Sequence, residues 1–577
     1  MVIDMINKKD IIRLLERIAL YMELKGENAF KVSAFRKAAA ALEADDRSLS
    51  EIDDVTKLPG IGKGTSAVIK EYQETGESAV LQELQQGVPE GLIPLLKLPG
   101  LGGKKIAKLY KELGVQNMDD LKAVCEMNKV RELAGFGAKT EEKILAAIQE
   151  AGTRPERLPV SYMLPLAEWI EEELSRMEGI HKFSRAGSLR RLRETIKDLD
   201  FIIAAGDPLL VKEQLLALPR IKEVIASGET KVSLVLEGEW DVGVDFRIVS
   251  KEEFASTLHH FTGSKDHNVR MRQLAKERGE KISEYGVEST ETGEVKTFQT
   301  EEAFYHYFGL PWIPPEIRED GSEVEAFTDE GSLLKLSDIR GDLHMHTTWS
   351  DGAYSLEEMI EACRAKGYEY MAITDHSRFL KVANGLSVER LLKQNEEIRR
   401  LNERYNDIEI LSGIEMDILP DGTLDYDDDV LSQLDFVIAS IHSSFSQPKE
   451  TIMDRLRTAL ENPYVHLIAH PTGRLLGRRE GYEVDMDELI TLAKQTNTAL
   501  ELNANPHRLD LSAENLRKAQ EAGVKIFINT DAHATEHLEF MEVGTKAARK
   551  GWLRPETVIN TYGIEEFLAF VNRNKKK

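Results

Sequence analysis

Three aspartates and a glycine–serine turn carry the first chemistry legible in the chain. Gly187-Ser188-Leu189-Arg190-Arg191 precedes Asp198-Leu199-Asp200, which opens the apolar run Phe201-Ile202-Ile203. Leu199 and that run predict a buried strand. Side chains alternate across a strand, so Asp198 and Asp200 fall on one face. Two carboxylates this close repel unless a cation lies between them, and hard oxygen ligands suit Mg²⁺ or Mn²⁺. Asp245 lies in Val242-Gly243-Val244-Asp245-Phe246-Arg247-Ile248-Val249, a second alternating segment. Three aspartates on neighbouring strands suit the metal pair of phosphoryl or nucleotidyl transfer. Gly187 and Ser188 add a tight turn and a hydroxyl for a phosphate, and Arg190 and Arg191 add charge. A lone Asp-x-Asp is usually a solvated strand edge; the spacing from Gly-Ser and the later aspartate carry the reading.

A second set of reactive side chains fills residues 338–577. Seven short apolar segments there end in polar groups: Gly341 to His346, Tyr370 to His376, Ile410 to Glu415, Phe436 to His442, Val465 to His470, Ala499 to Asn503, and Ile526 to His533. Helix-like stretches alternate with them, an α/β pattern. Barrel enzymes place their chemistry at the carboxyl ends of the strands. A single histidine is more often a core or surface residue than a ligand. Six histidines (His344, His346, His376, His442, His470, His533) and three acids (Asp351, Glu415, Asp531) are hard to attribute to packing. His344 and His346 point to one face of their strand. Such a mouth suits Zn²⁺ or Mn²⁺. Arg474, after His470-Pro471-Thr472-Gly473, is a candidate for a substrate phosphate.

The front of the chain would carry these sites to a substrate. Ile11, Leu14, Leu15, Ile18 and Met22 recur at helical spacing. Three related loops follow: Leu58-Pro59-Gly60-Ile61-Gly62-Lys63-Gly64, Leu98-Pro99-Gly100-Leu101-Gly102-Gly103-Lys104, and Leu133-Ala134-Gly135-Phe136-Gly137-Ala138-Lys139. Each precedes a predicted helix, over 65–74, 105–112 and 140–150. The glycines allow a tight turn, and the free N–H groups of a helix start attract phosphate without reading a base. One Gly-x-Gly could be plain packing, but three in series resemble helix-hairpin-helix DNA-binding motifs. Their contact residues would be Gly60, Gly62, Gly64, Gly100, Gly102, Lys104, Gly135 and Gly137.

At 577 residues the chain is long enough for several domains. Its formal charge of −25 argues against a simple basic nucleic-acid coat, and most of that excess falls after residue 315. Cys125 and Cys363 are far apart, so neither a disulfide framework nor a thiolate zinc site is indicated. With no secretory leader pattern and no membrane-spanning run, a cytoplasmic protein is expected.

The aspartate constellation resembles the palm of the nucleotidyltransferase superfamily, specifically the family X DNA polymerases. Phe261-Thr262-Gly263-Ser264, Asn268 and Arg272 resemble that family's thumb. The resemblance implies that Asp198, Asp200 and Asp245 are metal-binding catalytic carboxylates using Mg²⁺ or Mn²⁺. It further implies that Arg157, Gly187, Ser188 and Arg191 hold the triphosphate, while Phe261, Gly263, Asn268 and Arg272 meet the nucleotide or template. Residues 338–577 resemble the PHP phosphoesterase domain, a distorted (β/α)7 barrel binding up to three Mn²⁺ or Zn²⁺ ions. There the resemblance implies one ion on His344, His346, Glu415 and Asp531. Glu415 would bridge to a second with His442 and His470, and Asp351, His376 and His533 would hold a third. Hydroxide generated at such a site would attack a phosphodiester. The first loop also resembles the front lobe of family X enzymes with 5′-deoxyribose phosphate lyase activity. The Schiff-base lysine of that chemistry falls here on Val68, with Lys70 two residues on, so a weak lyase is expected.

Together the halves resemble bacterial family X polymerases with a fused PHP domain. The implied organisation is a lyase-like helical domain (1–80), helix-hairpin-helix fingers (81–155), an α+β palm (156–250), a thumb (251–315), a linker or strap (316–337) and the PHP barrel (338–577). The implied function is gap filling in base-excision repair with 3′→5′ exonuclease activity, and in some members abasic-site cleavage. Gapped or nicked DNA and dNTPs would be the partners of a monomeric enzyme. One departure is His260-Phe261, where the family often has Tyr-Phe beside the sugar. A competing reading is a DNA-targeted phosphoesterase with an inactive polymerase half; another is a scaffold with two dead sites.

Overall fold

The structure, a computed structural model, describes residues 8–44, 52, 54–86, 88–98, 101–151 and 155–573. The chain divides into two compact units, Met1–Glu156 and Arg157–Lys577.

The first unit is helical. Ile11, Leu14, Leu15, Ile18 and Met22 line one face of the helix Lys8–Lys25 and are all buried. That face packs on the helix Ala29–Ala44. Three short 3₁₀ turns, Val55–Lys57, Pro94–Lys97 and Val130–Glu132, each lead through a glycine loop into a longer helix. Those helices run Lys63–Thr75, Gly103–Leu113 and Ala138–Ala151. Each begins two residues before the start expected from sequence. Gly62 and Gly102 are the cause: each is an extended N-cap, so helical geometry starts at the next residue. The third loop repeats the backbone pattern of the first two despite Ala134 in place of proline. Leu58, Leu98 and Leu133 N–H donate three residues back at 3.1–3.2 Å, and Ile61, Leu101 and Phe136 donate to those leucines at 2.9–3.2 Å.

The second unit opens with a five-stranded sheet. Its spatial order is Ile180–Arg185, Leu199–Ala205, Val242–Val249, Lys231–Leu236, Ile221–Ser227. The strand Leu199–Ala205 is nearly all buried, as its apolar run requires. The edge strand Ile221–Ser227 was not legible, because its side chains are mostly exposed and give no alternating pattern. Helices Phe254–Thr262 and Lys265–Glu277 follow in the thumb region. Residues 316–337, expected as linker or strap, are firmly packed: Arg318, Glu323, Val324, Phe327 and Leu334 are buried.

The rest of the unit is a seven-stranded parallel sheet in strict chain order, from Gly341–Asp342 through Tyr370–Ile373, Glu409–Asp417, Phe436–Ser440, Leu467–Ile468 and Ala499–Asn503 to Ile526–Asn529. A parallel bridge between Met345 and Ala532 joins the residues after the first and last strands, so the barrel is nearly closed. The expected (β/α)7 architecture is therefore present.

Candidate functional site

In the first sheet, Leu199–Ala205 pairs in parallel with Val242–Val249, and the register sets Asp200 opposite Asp245. Asp198 lies just outside the strand, two residues along. Asp245 accepts from Ser233 Oγ at 2.6 Å and pairs with Lys231 Nζ at 2.8 Å. Burial first, then the Asp245 and Asp198 charges, push the Asp200 carboxyl up to about 6. Like charges held this close make the ionised cluster costly, and a cation between them would relieve that cost. Gly187 starts the turn Gly187–Arg190 at φ +59°, and a β-carbon there would stand 2.2 Å from Asp200 Oδ2. Only glycine lets the turn approach the carboxylate so closely.

A cavity of about 380 Å³ opens beside this turn, lined by Arg191, Asp200, His260, Phe261, Thr262, Gly263, Lys265, Asn268 and Arg272. The Asn268 amide donates to the His260 carbonyl at 2.7 Å, and Arg247 stacks 4.6 Å from the Phe261 ring centre. Arg191 donates to the Thr262 carbonyl. Arg157 does not line this cavity. It is exposed, and its guanidinium donates to the Thr195 hydroxyl and carbonyl at 3.2 and 2.6 Å. Arg157 directly precedes the two-residue ladder between Leu158–Pro159 and Thr195–Ile196, a separate two-stranded sheet.

At the barrel mouth all nine expected side chains converge. His344 and His346 Nε2 lie 3.4 and 3.2 Å from Asp531 Oδ1, and 3.4 and 3.5 Å from Glu415 Oε2. His442 and His470 Nε2 lie 3.2 and 2.9 Å from Glu415 Oε1. Asp351 Oδ1 is 3.5–3.8 Å from His346, His376 and His533. Ligand-competent clusters form from His344, His346 and Asp531; from His346, Asp351, His376 and His533; and from His376, Glu415 and His442. This grouping differs in detail from the expected one: His346 and His376 each take part in two clusters, because both ring nitrogens face acids. The fit to cations is direct. Buried His344 Nε2, both nitrogens of His346, His376 Nδ1 and Glu415 Oε2 have no hydrogen-bond partner, a costly state for a polar atom unless an ion supplies it. Burial, then the His533 and His376 charges, hold His346 down to about 3, so it is a neutral, ligand-ready imidazole at ordinary pH.

Family comparisons cover the helical unit, the thumb region and most of the barrel. Residues 6–78 match a helix-hairpin-helix domain, 92–150 a SAM-like helix-hairpin-helix tandem, 257–319 the DNA polymerase beta thumb, and 342–505 the PHP domain. The barrel region is 31% identical over 245 residues to a probable phosphatase of Caldicellulosiruptor bescii, covering 41% of this chain and 96% of that one. It is 30% identical over 247 residues to one from Thermoanaerobacter pseudethanolicus, with the same coverage. The whole chain is 66% identical over 568 residues to the DNA polymerase/3′-5′ exonuclease PolX of Bacillus subtilis (strain 168), covering 98% of this chain and all of that one. The chain belongs to the PolX family.

Within that PolX frame, three residues escaped sequence reasoning: Glu501, Asp417 and Arg508. Glu501 is fully buried on the strand Ala499–Asn503. Its Oε1 lies 2.8 Å from His344 Nδ1, and its Oε2 accepts from the His470 backbone at 2.7 Å. A carboxylate behind a ligand histidine fixes the ring and aims its other nitrogen. Asp417 does the same for His442, at 3.2 Å from Nδ1. Burial opposes protonation of His442, yet Glu415 and Asp417 outweigh it and push that imidazole up to about 10. Glu501 sits mid-strand between leucines, which was the available signal: a charged residue at a barrel-core position. The third is Arg508, whose Nε is 3.3 Å from Asp531 Oδ2. Arg474, the candidate for a substrate phosphate, faces the palm. It pairs with Glu194 of the palm at 2.7 Å and donates to the Arg508 and Leu509 carbonyls. It therefore clamps the barrel to the palm.

In the helical unit, a β-carbon on Gly62, Gly64, Gly102, Gly135 or Gly137 would meet nothing within 4 Å. These loop glycines border open space. Gly60 has φ +106° and Gly135 φ +93°, the left-handed turns that glycine permits. Gly100 lies outside the described residues. Lys104 lies in the first turn of the helix Gly103–Leu113. Val68 is buried in the core and Lys70 is exposed on another face of its helix.

Proposed function

We propose that this PolX-family chain extends DNA primers at the Asp198–Asp200–Asp245 site and removes 3′ nucleotides at the barrel mouth. What supports the reading is the coexistence of two separate groups of side chains, the aspartates with Asp200 in register with Asp245 and the histidines with acids at the barrel mouth, in a chain 66% identical to a DNA polymerase/3′-5′ exonuclease. When divalent cations are bound, they neutralise phosphate charge and lower the pKa of an attacking water or hydroxyl. In the palm, the Gly187–Arg191 turn would hold the triphosphate while Asp198, Asp200 and Asp245 hold Mg²⁺ or Mn²⁺. Phe261, Gly263, Asn268 and Arg272 would seat the sugar, base and template. In the barrel, His344, His346, Asp351, His376, Glu415, His442, His470, Asp531 and His533 would hold Mn²⁺ or Zn²⁺. Glu501 and Asp417 would aim the imidazoles, and Arg508, 3.3 Å from Asp531 Oδ2, would meet the charge of a substrate phosphate. Loop glycines and Lys104 would grip the DNA backbone through helix N–H groups.

Gapped DNA, dNTPs and a monomeric working state complete the reading, with base-excision repair in the cytoplasm as its setting. The deciding experiment is primer extension and 3′ digestion on gapped DNA with Mn²⁺. Asp198→Ala with Asp200→Ala should abolish extension and spare digestion. His344→Ala with His346→Ala should do the reverse. Extension surviving in the first variant would return the chain to a DNA-targeted phosphoesterase. Digestion surviving in the second would move the nuclease out of the barrel.

A further inference from the structure

The barrel helix Phe540–Lys550 ends inside the polymerase half. The Lys550 side chain is 15% exposed, and its ammonium is paired with the Glu319 carboxylate. It also donates to the Arg191 carbonyl at 3.1 Å and the Glu316 carbonyl at 3.3 Å. An ammonium has three donor hydrogens, so this one is saturated, and every acceptor precedes the barrel. The neighbouring residues reinforce the junction. Arg549 pairs with buried Glu316, and Trp552 packs edge-on against Phe327 with ring centres 5.9 Å apart.

Arg191 closes the turn that starts at Gly187. The turn is fixed at several points. Gly187 abuts Asp200, Arg190 pairs with Glu301 at 2.5 Å, and the Arg191 guanidinium reaches the Thr262 carbonyl. Its carboxyl end is fixed by Lys550, from the other domain. A hydrogen bond to a backbone carbonyl constrains the main chain directly, and phosphate-binding turns work through main-chain placement.

We propose that Lys550 is a positioning residue for nucleotide binding: the barrel domain holds the Gly187–Arg191 turn in register with Asp200. This rests on reading that turn as the triphosphate site. Loss of the contact frees the turn's end, so it raises the dNTP concentration needed while leaving the barrel's own chemistry intact.

Single-nucleotide insertion on gapped DNA, with 3′ digestion measured in parallel, tests this in the full chain. Lys550→Met keeps the stem and removes the donors. It should raise KM for dNTP about tenfold, with kcat changed less and digestion within twofold of wild type. Lys550→Arg should recover most of the loss, since it restores a cation and donors. Lys546→Met, on the same helix and paired with Glu542 at 2.6 Å, should leave both activities unchanged. Arg191→Ala separates the two ideas. If it leaves KM unchanged, the turn is not the triphosphate site and the proposal falls with that reading. If it raises KM while Lys550→Met does not, the proposal alone is overturned. Should Lys550→Met lose digestion as well, signalling misfolding, Glu319→Gln must show the selective KM rise; an unchanged KM there overturns the proposal.

Discussion

Glu501 stands directly behind His344 at the barrel mouth. It has no exposure, touches His344 Nδ1 at 2.8 Å, and is tied by Asn503 and Asn529 amides at 3.2 and 3.0 Å. Those ties leave the carboxylate one orientation and hence the imidazole one tautomer, with Nε2 facing the cluster. Replacing Glu501 by Gln keeps the shape and removes the charge. Mn²⁺ affinity measured by calorimetry should then fall about 10- to 100-fold, the usual cost of losing such a partner. Wild-type affinity in that variant would show that packing alone aims His344. Two residues in this region, His470 and Asp531, have positive φ of 28° and 53°. Such backbone is disfavoured outside glycine and persists where surrounding contacts over-determine it.

At the scale of elements, the thumb is anchored through a buried charge triad. Glu301 opens the helix Glu301–Tyr307 and pairs with Arg190 of the palm turn and with fully buried Arg318, at 2.5 and 2.8 Å. Burial raises the Glu301 pKa, but Arg318 and Arg190 outweigh it and hold the carboxyl far below its ordinary 4.5. A depressed folded value stabilises above the unfolded pKa and is lost as pH falls through the folded one. Glu301→Gln should therefore cost about 3–5 kcal/mol at neutral pH, because it strands fully buried Arg318 and part-buried Arg190. Measured by denaturant melts, the gap between wild type and variant should narrow as pH drops below about 4.5; a pH-independent gap would remove the ionic account. The helix Lys63–Thr75 gives the other element-scale expectation. With Val68 buried and Lys70 exposed elsewhere on it, borohydride should trap little Schiff base on 5′-deoxyribose phosphate DNA. Efficient trapping that vanishes in Lys70→Ala would show a neighbouring lysine doing the work.

The second unit as a whole is knit across its palm, thumb and barrel. Arg474 joins Glu194, Lys550 joins Glu319, and the Leu334 amide donates to the Leu553 carbonyl at 3.1 Å. These contacts span 219 or more positions of sequence, so a clamp and a substrate-binding cation cannot be told apart from sequence spacing. Arg474→Ala should lower unfolding free energy by about 1–2 kcal/mol, discounted because Glu194 is partly exposed, and leave the KM for 3′ digestion near wild type. Arg508→Ala should do the opposite, raising that KM several-fold. If Arg474→Ala alone raises KM, the phosphate contact returns to Arg474. Because Glu501→Gln acts through metal affinity and Arg508→Ala through substrate, excess Mn²⁺ should rescue only the former.

Sequence by itself determined the ingredients and their local geometry. Alternation on Leu199–Ala205 and Val242–Val249 put acids on strands, His344-Met345-His346 put two imidazoles on one face, and repeated glycine loops marked three helix starts. Each of these depends on periods of a few residues, which hydrophobic patterning encodes directly. The tertiary structure decided what those ingredients meet. Parallel register sets Asp200 against Asp245, barrel closure brings His346 between Asp351 and Asp531, and domain packing takes Arg474 for Glu194 while leaving Arg508 at the metal cluster. The physical reason is that a long, flexible cation has no local signature of its role. Its partner is chosen by burial and charge balance among segments hundreds of residues apart, and only the folded chain brings those segments together.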